Sequence, residues 1–408
     1  MKRSSSNKKT TKTQKPSLYR NMNKGLLATT IILLIFGLIM ILSASSVAAV
    51  REYGREVHFF FTRQLIFAIA GLCLSMFVIK LSPNFVDKMS LPAVVVIVGV
   101  LIYTISYGKA TNGSTSWIYF GPIGLQPSEF AKTIMIVSLA TLYGRLLKKF
   151  DGIPSTMFCF IPAIVIFILI ALQPDLGTAM IIFIISILIY FFLPIEATKE
   201  FKIFKIVLAV SIITLILAMP KIVGSENFIS KQLSLEQRER IAEFNDPCHK
   251  YEDSGYQVCH GFIAINSGGV TGSGLGESTQ KFLYLPEAYT DFIFPIIVEE
   301  LGVVTAGIIL IMYLVLLMQI LTIAVNAVNL RDSIIAFGTF CYILAHIVVN
   351  LGGILALMPL TGVPLPFLSY GGSFLINLLV LLGLTQRVHI NTKLAKAKKK
   401  VWWKCQIY

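Results

Sequence analysis

Four carboxylates and one lysine surround the start of a long apolar stretch, and they could carry acid–base chemistry. Lys281, Glu287 and Asp291 precede the stretch, and Glu299 and Glu300 lie about two helical turns inside it. Paired acids can divide the work of a general acid and a general base. They can also bind a divalent cation such as Mg²⁺ or Mn²⁺ through hard oxygens. A solvated helix start would explain Glu287, because acids favour helix N-termini, but it explains two carboxylates inside an apolar run poorly.

A second group of ionisable residues lies within apolar segments, where such groups are costly and usually functional. Glu129 and Lys132 are three residues apart and share one helix face, so a local ion pair would neutralise both. Asp175 lies at membrane depth and has no basic neighbour in the sequence. Lys132 is the nearest cation that could pair with it, and we predict an intramembrane ion pair between Lys132 and Asp175. The local pair with Glu129 stays open as the alternative.

The last connection between apolar segments, residues 359–373, is rich in proline and glycine and contains Ser369 and Tyr370. Irregular backbone at membrane depth is tolerated only where it lines protein or a cavity. The segment therefore predicts a broken helix or a re-entrant turn. His346 and Asn350 precede it four residues apart, on one helix face, and are secondary site candidates. For His346 a packing role is an equal alternative.

Long apolar segments must position these residues. The chain has 408 residues, 55% of them hydrophobic and 14% charged, with a mean hydropathy of +0.77. Soluble domains carry about 25% charged residues, so the composition excludes an ordinary soluble enzyme, a disordered chain and a disulfide scaffold. The alternating segments that a transmembrane barrel needs are absent from the sequence. We therefore predict an all-α polytopic integral membrane protein with about ten transmembrane helices, at 26–50, 59–79, 91–107, 128–147, 156–173, 176–194, 202–222, 292–326, 333–358 and 366–387.

Basic residues set the expected orientation. The chain has 35 Lys and Arg against 21 Asp and Glu, a formal net charge of +14, and many of the cations lie near the two ends. Because positive charge stays on the cytoplasmic side, both termini are expected inside, and no nucleic-acid partner is expected. The predicted parts are a basic cytoplasmic tail at 1–25, helices one to seven at 26–222, a large extracellular loop at 223–291, helices eight to ten at 292–387 and a second basic cytoplasmic tail at 388–408.

The predicted extracellular loop carries further candidates. A helix is expected near 235–244, and the glycine-rich residues 268–276 are interpreted as flexible backbone near the membrane surface. They do not form a P-loop, because no strand precedes them and no Gly-Lys-Ser/Thr follows. Cys248 and Cys259 both fall in this loop and could form a disulfide bond. A long loop in a compact bundle is more often functional than filler.

Six motifs, in order along nearly the whole chain, resemble the SEDS family (shape, elongation, division and sporulation proteins) of bacterial cell-wall synthesis. They are PSEFAK at 127–132, QPDLGTA at 173–179, QRERI at 237–241, STQKFLYLPEAYTDFIF at 278–294, EELG at 299–302 and PLTGVPLPFLSYGGS at 359–373. Residues 42–46 (LSASS) and the LPEAYTDFIF sequence are more similar to the division branch than to the elongation branch. Phe374 departs from the pattern, since family members often carry a second serine there.

The resemblance implies a glycosyltransferase that polymerises lipid II into peptidoglycan strands on the outer face of the bacterial cytoplasmic membrane, during septal synthesis. Asp291 matches the family's catalytic acid, and Lys132 and Asp175 match its intramembrane polar pair. The implied partners are lipid II, a class B penicillin-binding protein that crosslinks the strands, and other proteins of the division machinery.

This chemistry needs few protein groups. The pyrophosphate of the donor lipid is already a good leaving group, so the difficult step is to deprotonate the acceptor hydroxyl while the anomeric carbon opens. Asp291 can serve as the base. Arg240 and Lys281 can take the phosphate charge, with a divalent cation (Mg²⁺ or Mn²⁺) as a further candidate. The other expected substrate contacts are Gln280, Glu287, Glu300, Ser369 and Tyr370.

Other functions stay open at this point. A lipid II flippase would also place charges inside the membrane. It would need a polar route across the full bilayer, whereas the ionisable residues here cluster in the outer half. A non-catalytic division scaffold would not need Asp291. The same polymerase activity in cell elongation or in sporulation is a further alternative.

Overall fold

Ten α-helices and a small sheet make up the described part of the chain. The computed structural model describes residues 18–111, 114–121, 123–146, 157–193, 206, 248 and 255–406. The helices are α1 Lys24–Arg51, α2 Phe59–Lys80, α3 Pro83–Tyr107, α4 Pro127–Leu146, α5 Ile161–Ala171, α6 Leu176–Phe192, α7 Tyr256–Gly268, α8 Ile293–Val325, α9 Leu330–Ile354 and α10 Gly372–Gln406. Between α3 and α4 lie the strands β1 Lys109–Thr111, β2 Ser114–Phe120 and β3 Ile123–Leu125, paired antiparallel in that order.

Six of the described helices, α1, α2, α3, α8, α9 and α10, are long and apolar enough to cross a membrane. Helices α5 and α6 are apolar but shorter, with 11 and 17 residues. The prediction of an all-α polytopic membrane protein is therefore confirmed. The predicted span at 202–222 and the predicted helix at 235–244 fall almost wholly outside the described residues.

Three elements differ from the sequence prediction. The three-stranded sheet lies in a stretch that was expected to be a plain connection. Helix α7 lies in the predicted extracellular loop at a place where no helix was expected. Helix α10 begins at Gly372 and continues to Gln406, so much of the predicted second tail is helical.

The helices pack so that α4, α8 and α9 surround the polar residues singled out above. Helix α9 contacts α4, α6, α8 and α10, and α2 runs along α10. Helix α1 packs against α8, and α7 packs against the start of α8. The segment between α9 and α10 has no regular structure, and its residues 365–369 are buried, which agrees with the re-entrant or broken element expected at 359–373.

Helix α8 is interrupted at Gly302, whose φ of 79° and ψ of 169° are not helical. The glycine-rich segment after α7 pairs with the backbone on both sides of the break. Ser273 N donates to Glu299 O at 2.9 Å, and Val303 N donates to Gly269 O at 3.0 Å. Backbone groups at membrane depth need such internal partners. The glycine-rich segment is thus tightly packed against α8, and the expectation of flexible backbone was wrong.

We expect Gly302→Ala to lower the free energy of unfolding by about 1–3 kcal/mol. An added Cβ would lie 2.2 Å from Val270 O, and the positive φ disfavours any side chain. Gly307, in the same helix, is the matched control, because the described structure leaves open space around a Cβ added there. Gly307→Ala should be neutral or stabilising, since alanine is the better helix former. Unfolding of both purified variants in detergent measures the difference, and equal stabilities would contradict the expectation.

Candidate active site

Asp291 lies two residues before α8 begins at Ile293 and is only 8% exposed. Its backbone carbonyl accepts a hydrogen bond from Asn350 Nδ2 at 2.7 Å, and the same nitrogen donates to Val363 O at 2.8 Å. Asn350 therefore ties the start of α8 to the segment between α9 and α10. Gly362 lies beside the carboxylate, since a Cβ added there would be 3.6 Å from Asp291 Oδ2. This is the region where the structure brings together the predicted residues Asp291 and Asn350.

A threonine hydroxyl lies between two carboxylates at this place. Thr290 Oγ1 is 2.5 Å from Glu287 Oε2 and 3.2 Å from Asp291 Oδ1. Glu287 is exposed, whereas Asp291 is buried. The Thr290 hydroxyl has one proton and can donate it to only one of the two carboxylates at a time. If the other carboxyl group is protonated, it donates to the hydroxyl oxygen, and both contacts are then hydrogen bonds. The arrangement can pass a proton between a buried acid and an exposed one.

Aromatic side chains pack beside Asp291. The Phe60 ring lies 4.6 Å from the Tyr289 ring and 5.1 Å from the Tyr370 ring. Tyr370 N donates to Tyr289 O at 2.9 Å, which joins the segment before α10 to the segment before α8. Burial raises the pKa of the Tyr289 and Tyr370 phenols. Both phenols therefore keep their protons near neutral pH, and neither can replace Asp291 as a base.

Helix α2 adds two polar residues that the sequence reasoning missed. Arg63 hydrogen bonds to the Tyr370 phenol and opposes the rise in its pKa. Gln64 Nε2 donates to Ser369 O at 3.3 Å, and Gln64 Oε1 accepts from Gly371 N at 3.2 Å. The signal was available, because an Arg-Gln pair inside an apolar span is costly unless it is used.

Ser369, expected to contact substrate, shapes the backbone of its own segment. Its hydroxyl accepts a hydrogen bond from Leu365 N at 2.8 Å, and its own N–H donates to Leu365 O at 3.1 Å. The side chain is 1% exposed. In this structure Ser369 stabilises the turn before α10 and does not face open space.

Glu299 is buried and organises the turn at 278–280. Its carboxylate accepts hydrogen bonds from the Ser278 hydroxyl and from Thr279 N, the latter at 2.9 Å. Gln280 then joins this turn to α7, because its Oε1 lies 2.6 Å from His260 Nδ1. Gln280, predicted to contact substrate, is 9% exposed and is engaged with protein.

Lys281 and Glu300 form a buried ion pair. Lys281 Nζ lies 2.9 Å from Glu300 Oε1, and the two side chains are 4% and 0% exposed. The Ser43 hydroxyl, from α1, donates to Glu300 at 2.7 Å, and Lys281 also donates to Gly276 O. The lysine ammonium is thus occupied by protein acceptors. Lys281 and Glu300 thus form a structural ion pair in this structure, and contact of either residue with substrate stays a prediction.

Lys132 pairs with Glu129 rather than with Asp175. Lys132 Nζ lies 2.7 Å from Glu129 Oε1 and 3.2 Å from His346 Nε2. His346 Nδ1 lies 3.3 Å from Pro364 O, so Nδ1 carries the proton and Nε2 accepts from the lysine. The predicted ion pair between Lys132 and Asp175 was wrong, because the acid one turn away satisfies the lysine within its own helix.

Asp175 has a local role instead. It precedes α6 as its N-cap and accepts from Thr178 N at 3.0 Å. Gln126 Nε2 donates to its other oxygen at 3.1 Å. Neutral donors at a helix N-terminus can satisfy a carboxylate without a cation, and this is why Asp175 needs no lysine partner.

We expect Lys132→Met and Glu129→Leu each to destabilise the protein by about 3–5 kcal/mol, and the double variant to recover part of the loss. Asp175→Asn serves as the control, since its effect should add to that of Lys132→Met within about 0.5 kcal/mol. Denaturant unfolding of the single and double variants measures both couplings. A strong coupling between Lys132 and Asp175 would restore the original prediction.

The remaining predicted residues have mixed outcomes. Cys248 and Cys259 form a disulfide bond, with their Cα atoms 5.2 Å apart. Arg240 lies outside the described residues. No group of three His, Cys, Asp or Glu side chains in the described ranges could hold a metal ion. Glu299 and Glu300 use their oxygens on protein donors, so they do not fit the divalent-cation site that the sequence suggested.

Comparisons with known proteins agree with the motifs. The family of cell cycle proteins that contains FtsW, RodA and SpoVE matches residues 24–394. "Probable peptidoglycan glycosyltransferase FtsW" of Bacillus subtilis is 34% identical over 393 residues, which cover 94% of each chain. "Stage V sporulation protein E" of the same organism is 35% identical over 387 residues, covering 93% of this chain and 98% of the relative.

Solved structures show the same fold. A chain from a structure described as "Structural coordination of polymerization and crosslinking by a peptidoglycan synthase complex" has a TM-score of 0.71 at 25% identity. It covers 91% of this chain and 98% of that chain. The rod shape determining protein RodA of Thermus thermophilus has a TM-score of 0.61 at 23% identity, covering 91% of this chain and 97% of RodA. The chain therefore belongs to the FtsW, RodA and SpoVE family of cell cycle proteins.

Proposed function

We propose that this chain is a peptidoglycan glycosyltransferase that polymerises lipid II into glycan strands, with Asp291 as the general base. The observation that carries the proposal is the buried Asp291 carboxylate at the start of α8, beside Gly362 and joined to Glu287 through Thr290. Relatives 31–34% identical to the chain that are named as peptidoglycan glycosyltransferases support the reaction type.

In the proposed step, Asp291 takes the proton of the 4-hydroxyl on the glucosaminyl sugar of the acceptor. The freed oxygen attacks the anomeric carbon of the donor's muramyl sugar. The bond from that carbon to the pyrophosphate breaks, and polyprenyl pyrophosphate leaves with the electron pair. Thr290 then relays the proton from Asp291 towards Glu287, which is exposed and releases it to water.

The leaving pyrophosphate needs cations. Arg240 keeps this expected role, and Arg63, next to Tyr370, is a second candidate because a guanidinium matches phosphate oxygens in pairs. Lys281 is less suited to this role, because its ammonium already pairs with Glu300. No step is assigned to Mg²⁺ or Mn²⁺, because the carboxylates of Glu299 and Glu300 are engaged with protein donors.

The deciding experiment is polymerisation of purified lipid II by the purified protein, with and without its crosslinking partner. Glycan strands should form with the parental protein and not with Asp291→Asn. A flippase would move labelled lipid II across vesicle membranes without lengthening it. Transport without polymer would therefore overturn the proposal.

The partner is a class B penicillin-binding protein, together with other proteins of the division machinery. The related solved structure, described as a synthase complex that coordinates polymerisation and crosslinking, supports this assignment. The biological setting is septal synthesis, which the named FtsW relatives support. The equal similarity to a sporulation protein keeps a sporulation role as the second setting. No nucleic-acid partner is proposed.

The proposed topology has both termini in the cytoplasm and Asp291 on the outer face of the membrane, as the positive charges indicate. Glu277 and Lys396 are both exposed and lie on opposite sides in this layout. In a background whose free cysteines are replaced by serine, Glu277→Cys should react with an impermeant thiol reagent on whole cells, and Lys396→Cys should not. Labelling of Lys396→Cys would invert the layout.

A further inference from the structure

Asp291 lies in a turn, and the helix that follows cannot hold its backbone carbonyl. In an α-helix each carbonyl accepts a hydrogen bond from the N–H four residues later. The residue four positions after Asp291 is Pro295, which has no N–H. Within the turn, the neighbouring groups Thr290 N and Phe292 N both donate to Glu287 O, at 3.1 and 3.2 Å. Because a buried carbonyl needs a donor, the carbonyl of Asp291 requires one from outside α8.

The side-chain amide of Asn350, on α9, supplies this donor. Its Nδ2 has two hydrogens, which go to Asp291 O at 2.7 Å and to Val363 O at 2.8 Å. Two carbonyls that face the same amide atom identify that atom as the nitrogen. One buried side chain therefore fixes residue 291 relative to residue 363. It also fixes residue 291 relative to Gly362, which lies beside the Asp291 carboxylate.

A second residue on the same face of α9 holds the same segment. His346 lies one turn before Asn350, and its Nδ1 is 3.3 Å from Pro364 O. The two adjacent carbonyls, Val363 O and Pro364 O, are thus both held by α9. The backbone that lies beside the Asp291 carboxylate is therefore anchored to a helix, and Asn350 is the link that both sides share.

The oxygen of the Asn350 amide shows that this residue does not act on a substrate directly. Oδ1 is buried and has no hydrogen-bond partner in the part of the chain that the structure describes. The whole side chain is only 4% exposed. Any effect of Asn350 on a reaction must therefore pass through the two backbone segments that its nitrogen holds.

We infer that Asn350 is a positioning residue that sets where the Asp291 carboxylate stands. The inference rests on the proposed function of Asp291 as the general base. A base must lie within hydrogen-bond reach of the proton that it takes, and a displacement of about 1 Å can cost about 10²-fold in rate. Because Asn350 does not contact lipid II, its loss should lower kcat and leave KM near the parental value.

The first test is Asn350→Leu, which has nearly the same shape but cannot donate a hydrogen bond. Polymerisation of purified lipid II by the full chain in detergent should show a kcat that is about 10–10²-fold lower. If Asn350→Leu gives no folded protein, Asn350→Ser replaces it, because a hydroxyl keeps one donor; its kcat should fall less. A parental kcat in the folded variant, or a loss confined to KM, overturns the inference.

Gln173→Met is the matched control. Gln173 is a buried amide whose Nε2 also donates to a backbone carbonyl, Leu101 O at 3.1 Å, and whose Oε1 also has no partner among the described residues. It resembles Asn350 in burial and bonding, but it binds α3. Gln173→Met should lower the melting temperature as Asn350→Leu does, without changing kcat. An equal fall of kcat in both variants would show a general structural effect and overturn the inference.

The double variant Asp291→Asn, Asn350→Leu tests whether Asn350 acts through Asp291. It should polymerise no more slowly than Asp291→Asn alone, because residues that act as a unit are not additive. Losses that multiply would contradict the inference, since Asn350 would then act without the base. Asp291→Asn alone separates the two proposals. A parental rate in that variant removes the proposed base, whereas a slow Asp291→Asn beside a parental Asn350→Leu removes only the role of Asn350.

Discussion

Asp291→Asn is expected to slow lipid II polymerisation by about 10²–10⁴-fold, the usual contribution of a general base. The variant should still fold, because Asn350 contacts the backbone carbonyl of residue 291, which the substitution leaves in place. Asparagine has nearly the same shape as aspartate but cannot take a proton at neutral pH. The measurement is the initial rate of glycan formation from purified lipid II, at equal amounts of membrane-extracted, monodisperse protein.

Glu287→Gln is the matched control for this prediction. Glu287 contacts the same Thr290 hydroxyl but is exposed, so water can replace it as the final proton acceptor. We expect its loss to slow the reaction by less than about tenfold, well below the general-base contribution. Near-parental polymerisation by Asp291→Asn, with a large loss in Glu287→Gln, would transfer the role of base to Glu287.

Lys281→Met or Glu300→Gln should each lower the free energy of unfolding by about 3–5 kcal/mol, because each leaves a buried polar or charged group without its partner. Lys281→Met leaves the Glu300 carboxylate, which is 0% exposed, with the Ser43 hydroxyl as its remaining described donor. Glu300→Gln leaves a buried ammonium with neutral acceptors only, which are Gly276 O, Ser43 and the new amide oxygen. The double variant removes both charges and should be more stable than the sum of the two losses predicts.

Denaturant unfolding in detergent gives the three free energies, and Glu277→Gln is the control. Glu277 is an exposed acid in the same segment, so its replacement should change stability by less than about 0.5 kcal/mol. Losses that add without coupling would show that Lys281 and Glu300 do not stabilise one another.

The membrane fold could be predicted from the sequence because the bilayer requires long apolar helices. Each such helix can be recognised from its own residues, without knowing which helices pack against it. The same reasoning indicated that a solvated helix start explains Glu299 and Glu300 poorly, since both lie inside an apolar run, but it did not identify the groups that they contact. The identity of the partners depended on tertiary structure. Lys132 pairs with Glu129 one turn away, and Asp175 caps a helix N-terminus. Pairing residues only because both lie at membrane depth therefore predicted the wrong ion pair.

Other parts of the site had weaker signals. The sequence at 109–125 contains Asn112-Gly113, a strong hairpin signal, but β1 and β3 have only three residues each and β2 does not alternate between polar and apolar residues. Helix α7 is amphipathic. It lies in a polar, cysteine-containing part of the sequence that was predicted to be an extracellular loop. Arg63 and Gln64 were not predicted, although a basic residue and an amide inside an apolar span are costly unless they have partners.

The order of segments along the chain has a consequence for how this protein enters the membrane. Helix α8 carries two glutamates, and a charged residue costs about 2.5–3.5 kcal/mol at the bilayer centre on insertion scales. The groups that donate to these carboxylates all precede α8 in the sequence. They are Ser43, the turn at 278–280 and Lys281. These partners have therefore already been synthesised when α8 leaves the translocon, and the described partners of the two acids do not come from the helices that follow α8.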